Sequence, residues 1–382
     1  MEPIASRPPL KVAIIGIGHR GYKTHFLSIL QNPRAWTVVA VCDTNDEARA
    51  RFTSQHAGIS TYRSYHDLLA QHKTGLDFAV VCLPHQFHLA CCEAFARAGV
   101  HVLKEKPVAE SPDEYERLAK LPVKIGVCFQ KRFEPRYLAV RDLLPQVGQV
   151  ASFTATLGAS IAALDATWRA QCDVGVTEDL GCHMLDMVVS LFGQPTALAA
   201  QNTKGVRAEQ AYGGDDVSNI IMNFGPAAKH TMGHVHLSRV AHREQESLVI
   251  VGTKGTFALE GRHVRLRDSA GNETFSLHDT SAKAYVVQSM LHAFSAWITG
   301  AEPDFCCSVG NLKDTVQVMH QVRGAYAKSR ATQPPSDQGS PRLGASLNGA
   351  HHVWPLLTSE SEDAIVRQMH SSLSIYNRSD IY

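Results

Sequence analysis

Apolar residues in the first 130 positions cluster into short, mostly apolar runs, and the stretches between them repeat at helical spacing. The runs are Lys11–Ile15, Trp36–Cys42, Phe78–Leu83, Val100–Leu103 and Val123–Phe129. Continuous apolar runs of this length predict strands buried on both faces of a parallel sheet. Ala48–Gln55, Ser64–Gln71, Leu89–Ala98 and Ser111–Ala119 predict the intervening helices, the last capped by Ser111. Strands alternating with helices form a doubly wound sheet, with ligand at the carboxyl ends of the strands. From Val150 the pattern becomes alternation. Val150–Leu157, Ser218–Phe224, Lys229–Leu237, Glu246–Val251, Thr256–Leu259, His263–Arg267 and Glu273–Leu277 predict a meander of antiparallel strands. Val286–Thr299 and Leu312–Ser329 predict two closing helices. The fold class expected is α/β, a Rossmann sheet over residues 1–129 followed by an α+β substrate-binding and oligomerisation domain over 130–330.

Gly16-Ile17-Gly18-His19-Arg20-Gly21 follows the first strand directly, and a helical pattern begins near Tyr22. In that context G-x-G-x-x-G is a dinucleotide turn. Gly16 permits the bend, Gly18 lets backbone approach a pyrophosphate, and Gly21 lets helix and strand pack closely. The helix N-terminus supplies N–H groups to the phosphates. Asp43 ends the second strand, where a carboxylate accepts from both ribose hydroxyls and repels a 2′-phosphate. NAD is therefore expected over NADP. The competing reading is a structural glycine turn in another α/β protein.

A second constellation lies at Glu178-Asp179-Leu180-Gly181-Cys182-His183-Met184-Leu185-Asp186. Read as one helix, it places Asp179, His183 and Asp186 on one face, with a carboxylate on each side of an imidazole. A histidine so held can take a proton from a hydroxyl. A base beside a hydride acceptor is what alcohol oxidation requires. The plainer reading of His183 is a satisfied core histidine.

Composition narrows the classes. The chain has 382 residues, 44% of them hydrophobic, with 37 basic and 36 acidic side chains and a net charge of +1. No broad basic field exists for nucleic acid. The longest strongly apolar run, Phe78–Leu83, is far short of the roughly 18 residues a membrane span needs, and Met1–Leu10 has no apolar signal core. Nine cysteines without framework spacing fit a reducing cytosol and read as packing residues, including the adjacent pairs Cys91-Cys92 and Cys306-Cys307. His234 and His236 share a strand face, but no acidic or cysteine ligand has matching spacing, so no metal site is expected.

These residues resemble the glucose–fructose oxidoreductase / inositol dehydrogenase (Gfo/Idh/MocA) family. The matches are Gly16-Ile17-Gly18-x-x-Gly21, Pro84-x-x-x-His88, Glu105-Lys106-Pro107, Arg132-Phe133, Trp168-Arg169 and Asp179-x-Gly181-x-His183-x-x-Asp186. The resemblance implies a second domain with a large, open, mainly antiparallel sheet and a homodimer or homotetramer. It places Gly16, Gly18, His19, Arg20, Gly21, Asp43, Pro84, His85, His88, Glu105 and Lys106 at the cofactor. It places Arg132, Trp168, Arg169, Asp179 and His183 at the substrate. Lys106 would orient or polarise the reacting hydroxyl, Asp179 would hold substrate and a partner side chain, and His183 would be the base. The chain departs from the family in two places. Asp173-Val174-Gly175-Val176 keeps one glycine of the usual Gly-Gly-Gly run, and His85 stands where Asn is common.

Composition shifts again after Ala331. Residues 331–352 are rich in Pro, Gly and Ser and read as a linker. Order is expected to resume at 353–382, with Thr358 or Ser359 capping a helix Asp363–Leu373. That segment resembles the opening of pyridoxal-phosphate-dependent sugar aminotransferases of the DegT/DnrJ/EryC1 type. It implies an aminotransferase domain or protein as partner. Paired families of these kinds make 3-amino-3-deoxy sugars. The expectation is an NAD-dependent dehydrogenase oxidising a ring hydroxyl, first carbon 3, of a glucose phosphate or nucleotide sugar. The alternatives are an NAD(P)H-dependent reductase or redox epimerase of a non-sugar metabolite, and a non-catalytic dinucleotide sensor.

Overall fold

The computed structural model describes residues 7–72, 74–161, 174–206, 213–225 and 231–331. Trp168, Arg169 and the segment 353–382 lie outside the described residues. Six parallel strands form the first sheet: β1 (Leu10–Ile15), β2 (Trp36–Cys42), β3 (Ser60–Tyr62), β4 (Phe78–Val81), β5 (His101–Lys104) and β6 (Ile125–Val127). Their order is β3-β2-β1-β4-β5-β6, so the winding reverses between β1 and β4. That reversal opens a crevice at the carboxyl ends of the strands. Val12–Ile15 and Phe78–Val81 are fully buried, as their unbroken apolar runs require. Helices α1 (Leu27–Leu30), α2 (Asp46–Gln55), α3 (Tyr65–His72), α4 (His88–Arg97) and α5 (Pro112–Ala119) connect them. Ser111 Oγ accepts from Glu114 N–H at 3.1 Å, the expected cap.

The second sheet has eight strands: β7 (Val150–Ser160), β8 (Ala197–Lys204), β9 (Asp215–Phe224), β10 (Thr231–Ser238), β11 (Val240–Gly252), β12 (Gly255–Glu260), β13 (His263–Asp268) and β14 (Glu273–His278). Their order is β14-β13-β12-β11-β7-β10-β9-β8. The simple meander expected from the alternation is corrected here. β7, the first of these strands in the chain, sits in the middle, antiparallel to β11 and parallel to β10. Strand β8 was not foreseen, because Ala197–Lys204 is a mostly exposed edge with only Ala200 buried. β3 was missed for a similar reason: it is three residues long and has no buried position.

After α6 (Pro135–Leu143), the sheet is packed by α7 (Cys182–Phe192). Phe192 stacks on Phe153 of β7 with ring centroids 4.5 Å apart. Gly181, just before α7, meets β10 so closely that a Cβ would lie 2.4 Å from Leu237 Cδ1. The glycine of Asp-x-Gly-x-His is therefore a packing requirement.

The remaining described helices are α8 (Lys283–Ile298), which packs on the first sheet, and α9 (Lys313–Ala331). Trp36 Nε1 donates to Ser295 Oγ at 2.9 Å, and Phe78 meets Phe294 edge-on at 5.3 Å. After α8 the backbone runs beside β6, where Val127 N–H donates to Cys307 O at 2.9 Å and Val309 N–H to Ile125 O at 3.0 Å.

A buried ionic cluster ties α6 and the turn before it to β11. Glu246 accepts from Lys131 Nζ, from Tyr137 OH at 2.6 Å and from Arg136 Nη2 at 2.9 Å. These cations outweigh the burial that opposes ionisation and hold the Glu246 carboxyl at about 2. Removing the carboxylate would strand the Lys131 ammonium in a dry site, whereas Arg136 would keep Glu134. Glu246→Ala is therefore expected to cost about 3–5 kcal/mol, read as a lowered urea midpoint, with Glu246→Gln milder.

Candidate active site

The turn after β1 shows three distinct uses of glycine. Gly16 has φ +88°, and a Cβ there would stand 2.4 Å from Cys82 O. A Cβ on Gly21 would stand 1.9 Å from Gly16 O, whereas one on Gly18 would meet nothing within 4 Å. Gly16 and Gly21 are demanded by the fold. Gly18 faces open space, which suits close approach of a phosphate backbone. The following turn, Arg20–Phe26, is wound as a π-helix before α1, a turn wider than the α-helix expected from Tyr22.

Asp43 Oδ2 accepts from Ile17 N–H at 2.8 Å and Oδ1 from Asn45 N–H at 2.9 Å. These bonds aim the carboxylate at a cavity of 610 Å³ bordered by Gly18, His19, Lys23 and Arg51. The cavity, the open side of Gly18 and the strand-end carboxylate fit a dinucleotide. Asp43 would meet its ribose, with the N–H groups of the turn at its phosphates.

The other residues expected at the cofactor lie at the ends of β4 and β5. Pro84 introduces a short 3₁₀ turn, His85–Phe87. His88, which begins α4, is buried, and its Nε2 pairs with Leu83 O at 2.8 Å, so it holds the β4 loop from behind. Burial pushes His88 down to about 3. Burial, aided by the Lys106 charge, pushes His85 down to about 2. Both are neutral at ordinary pH.

Glu105 accepts from His25 Nε2 at 2.8 Å and stands 3.3 Å from Arg20 Nε. Although burial opposes ionisation, the Arg20 charge and the His25 bond hold Glu105 well below the usual carboxylate range. Arg20 and Glu105 thus brace the glycine turn against the end of β5. Ligand atoms of His25, Glu105 and Cys128 converge within 4.8 Å, but the adjacent guanidinium makes this an ion-pair cluster hostile to a metal cation. Sequence reasoning missed His25, which carries no motif of its own. It also missed Lys104, fully buried, whose Nζ donates to Pro107 O and, at 2.9 Å, to Val108 O. Lys104 shapes the loop that presents Lys106.

Lys106 Nζ donates to Asp179 Oδ1 at 2.7 Å and to Asp179 O at 2.7 Å, with both side chains only 8% exposed. The two halves of the expected site therefore meet. His183 lies on α7, edge-on to Phe129 at 5.7 Å, and its Nδ1 has no hydrogen-bond partner among the described residues. Burial, then the positive charges of Lys106 and Lys131, push His183 well below its ordinary value. The imidazole is neutral and able to accept a proton.

Two expectations need correction. Glu178–Asp186 is not one regular helix: Thr177–Gly181 is a π-helical turn, and α7 begins at Cys182. Nor do two carboxylates clasp His183 in the expected way. Asp186 Oδ2 and Oδ1 accept from Arg132 Nε and Nη2, both at 2.8 Å, and Oδ1 also accepts from Thr315 at 2.9 Å. A bidentate guanidinium outcompetes a neutral imidazole for the carboxylate. The same contacts give Arg132, expected at the substrate, a structural role. Its Nη1 donates to Cys306 O at 2.8 Å, so it anchors α7 to the neighbouring chain segment.

Gly175, the retained glycine, is also explained. A Cβ there would fall 1.7 Å from Asp215 Oδ1. Thr177 Oγ1 donates to Asp215 Oδ2 at 2.6 Å, and Tyr326 OH lies 2.9 Å from Thr177 Oγ1 and 2.5 Å from Ser218 Oγ. This network, invisible in the sequence, supports the π turn that carries Asp179. Burial raises the Asp215 carboxyl to about 6.

The glycine geometry predicts a split between stability and binding. Gly21→Ala should lower the melting temperature, whereas Gly18→Ala should leave it nearly unchanged and weaken NAD binding, measured by calorimetry. A second prediction concerns pH. Oxidation requires neutral His183, and its lowered pKa keeps it neutral below 6.5. A pH profile of kcat/KM should therefore show no histidine-dependent fall from about pH 8 to 6.

Residues 10–133 match the oxidoreductase family described as GFO/IDH/MocA with an NAD-binding Rossmann fold, and residues 137–258 match the GFO/IDH/MocA C-terminal domain. The putative UDP-kanosamine synthase oxidoreductase subunit of Amycolatopsis mediterranei is 29% identical over 191 residues, 48% of this chain and 52% of that protein. D-Glucoside 3-dehydrogenase of Escherichia coli is 27% identical over 204 residues, 51% of this chain and 57% of that protein. The WlbA dehydrogenase from Bordetella pertussis, solved with NADH and UDP-GlcNAcA, superimposes with a TM-score of 0.72 at 20% identity, covering 84% of this chain and 97% of its own. At that identity the likeness concerns the fold. With both domains matched, and the glycine turn and Asp43 at the mouth of the crevice, the chain belongs to the Gfo/Idh/MocA oxidoreductases and carries their NAD-binding Rossmann domain.

Proposed function

We propose that the protein oxidises a ring hydroxyl of a glucose derivative, a sugar phosphate or nucleotide sugar, to a ketone, with carbon 3 as the position attacked. The observation that carries this reading is the buried Lys106–Asp179 pair beside a neutral His183 at the carboxyl end of the nucleotide-binding sheet. NAD, when bound, supplies the hydride acceptor. His183 takes the hydroxyl proton onto its imidazole as the C–H bond breaks. Lys106 Nζ steadies the developing alkoxide, and Asp179 holds that ammonium in place through two contacts. The choice of a glucose derivative and of carbon 3 is supported by the glucoside 3-dehydrogenase and the UDP-kanosamine synthase subunit among the relatives.

Oxidation of a secondary alcohol by NAD is uphill near neutral pH, so a reaction that removes the ketone draws it forward. Transamination to an amino sugar is such a reaction. The segment 353–382, read as the opening of an aminotransferase-like domain, supports that pairing from sequence likeness. Trp168 and Arg169, which lie outside the described residues, are assigned to the substrate on sequence likeness alone. The site residues fall into two groups, with Lys106, Asp179 and His183 reactive and Arg20, His88, Glu105 and Arg132 holding them in place.

The test is to incubate the chain with NAD and glucose, glucose 6-phosphate, UDP-glucose or inositol, with an aminotransferase and amino donor added to drain ketone. Reduced nicotinamide should appear with one phosphorylated or nucleotide-linked sugar. His183→Ala should cut turnover by about 100-fold or more while NAD affinity changes little. Equal loss of turnover and NAD binding would sink the assignment of His183, and silence across the sugars would sink the substrate class.

A further inference from the structure

Cys306 and Cys307 are neighbours in the chain whose sulfurs lie 3.8 Å apart. Among the described cysteines Cys306 is the exposed one, and Cys307 is buried. The Cys307 thiol, with the Arg132 and Arg141 charges beyond it, draws the Cys306 thiol below its usual value. Burial raises Cys307, which keeps its proton and is the natural donor to Cys306. An accessible, thiolate-prone cysteine beside a second thiol is the arrangement found where peroxides react.

The backbone gives this pair its consequence. Cys306 O accepts from Arg132 Nη1 at 2.8 Å, and the same guanidinium grips Asp186 on α7. Cys307 O accepts from Val127 N–H at 2.9 Å at the edge of β6. A disulfide between adjacent cysteines closes an eight-membered ring that contains the Cys306–Cys307 amide. Bringing the sulfurs from 3.8 Å to a bond of about 2.05 Å requires that amide to turn.

We propose that Cys306 and Cys307 are a modification site for hydroperoxides, a vicinal dithiol whose closure pulls the Cys306 carbonyl away from Arg132 and loosens the anchor of α7. The Cys306 thiolate attacks the peroxide. An S–O bond forms, the O–O bond breaks, and the departing oxygen leaves as alcohol or water after taking a proton. The Cys307 sulfur then attacks the Cys306 sulfenic acid. The S–S bond forms, the S–O bond breaks, and hydroxide leaves as water with the Cys307 proton. Two thiols lose two electrons in all, and one peroxide is reduced.

The experiment treats the whole chain with hydrogen peroxide and reads intact mass, peptide map and hydrogen exchange, none of which requires a known substrate. A loss of about 2 Da is expected, located at Cys306–Cys307 and reversed by dithiothreitol. Exchange should become several-fold faster in peptides covering Cys182–Phe192. Cys306→Ser keeps the carbonyl and lacks the reactive sulfur, so it should show neither change relative to its own untreated state. Because Cys307 is buried, its replacement could perturb folding, and Cys306→Ser is the variant of choice. Sulfinic or sulfonic acid at Cys306 without the mass loss would overturn the proposal, as would a link formed with unchanged exchange in α7.

Discussion

The contact between Lys106 and Asp179 is the point on which the arrangement turns. It joins the end of a strand in one sheet to a helical turn lying against the other, in a place nearly closed to water. A buried ion pair of this sort adds little net stability, because desolvation cancels most of its attraction. Its value lies in position. An ammonium and a carboxylate that must satisfy each other fix the distance between the nucleotide crevice and the helix bearing His183. Either charge alone in that setting would be costly, so neither side of the site is free to drift.

Around that contact the structure arranges its charges in paired sets. Arg20 and His25 answer Glu105, Arg132 answers Asp186, Lys131 and Arg136 answer Glu246, and Arg239 answers Asp216 at 2.8 Å. His183 stays neutral first because it is buried and then because the charges of Lys106, Lys131 and Arg20, each already partnered, oppose its protonation. Among the described residues no helix is long and apolar enough to cross a membrane.

The sequence was most legible where one residue type has one physical reason. Gly16 and Gly21, the apolar strands and the Ser111 cap could all be read directly, because sterics, burial or a backbone N–H in need of an acceptor dictates each. It was least legible where a side chain chooses among partners. Asp186 could have held His183, and only the folded chain shows that Arg132, fifty-four positions away, takes it. Lys104 reads as an ordinary strand-end lysine until its carbonyl partners are seen. Asp215, Thr177 and Tyr326 come from three distant segments, and no local pattern could join them. Short exposed edges such as β3 and β8 lacked the alternation that burial imposes on interior strands.

The π-helical turn at Thr177–Gly181 carries a last consequence. Such a turn is an α-helix with one surplus residue tucked into it. The interval between Asp179 and His183 is therefore a matter of count as well as identity. Deleting a single residue from that turn would relax it to ordinary winding, with the flanking turns keeping their facing while the residues inside the turn, Asp179 among them, change direction. Lys106 would then face a different side chain. In this protein the length of one turn acts as a lock on the site, and point substitution alone does not reveal it.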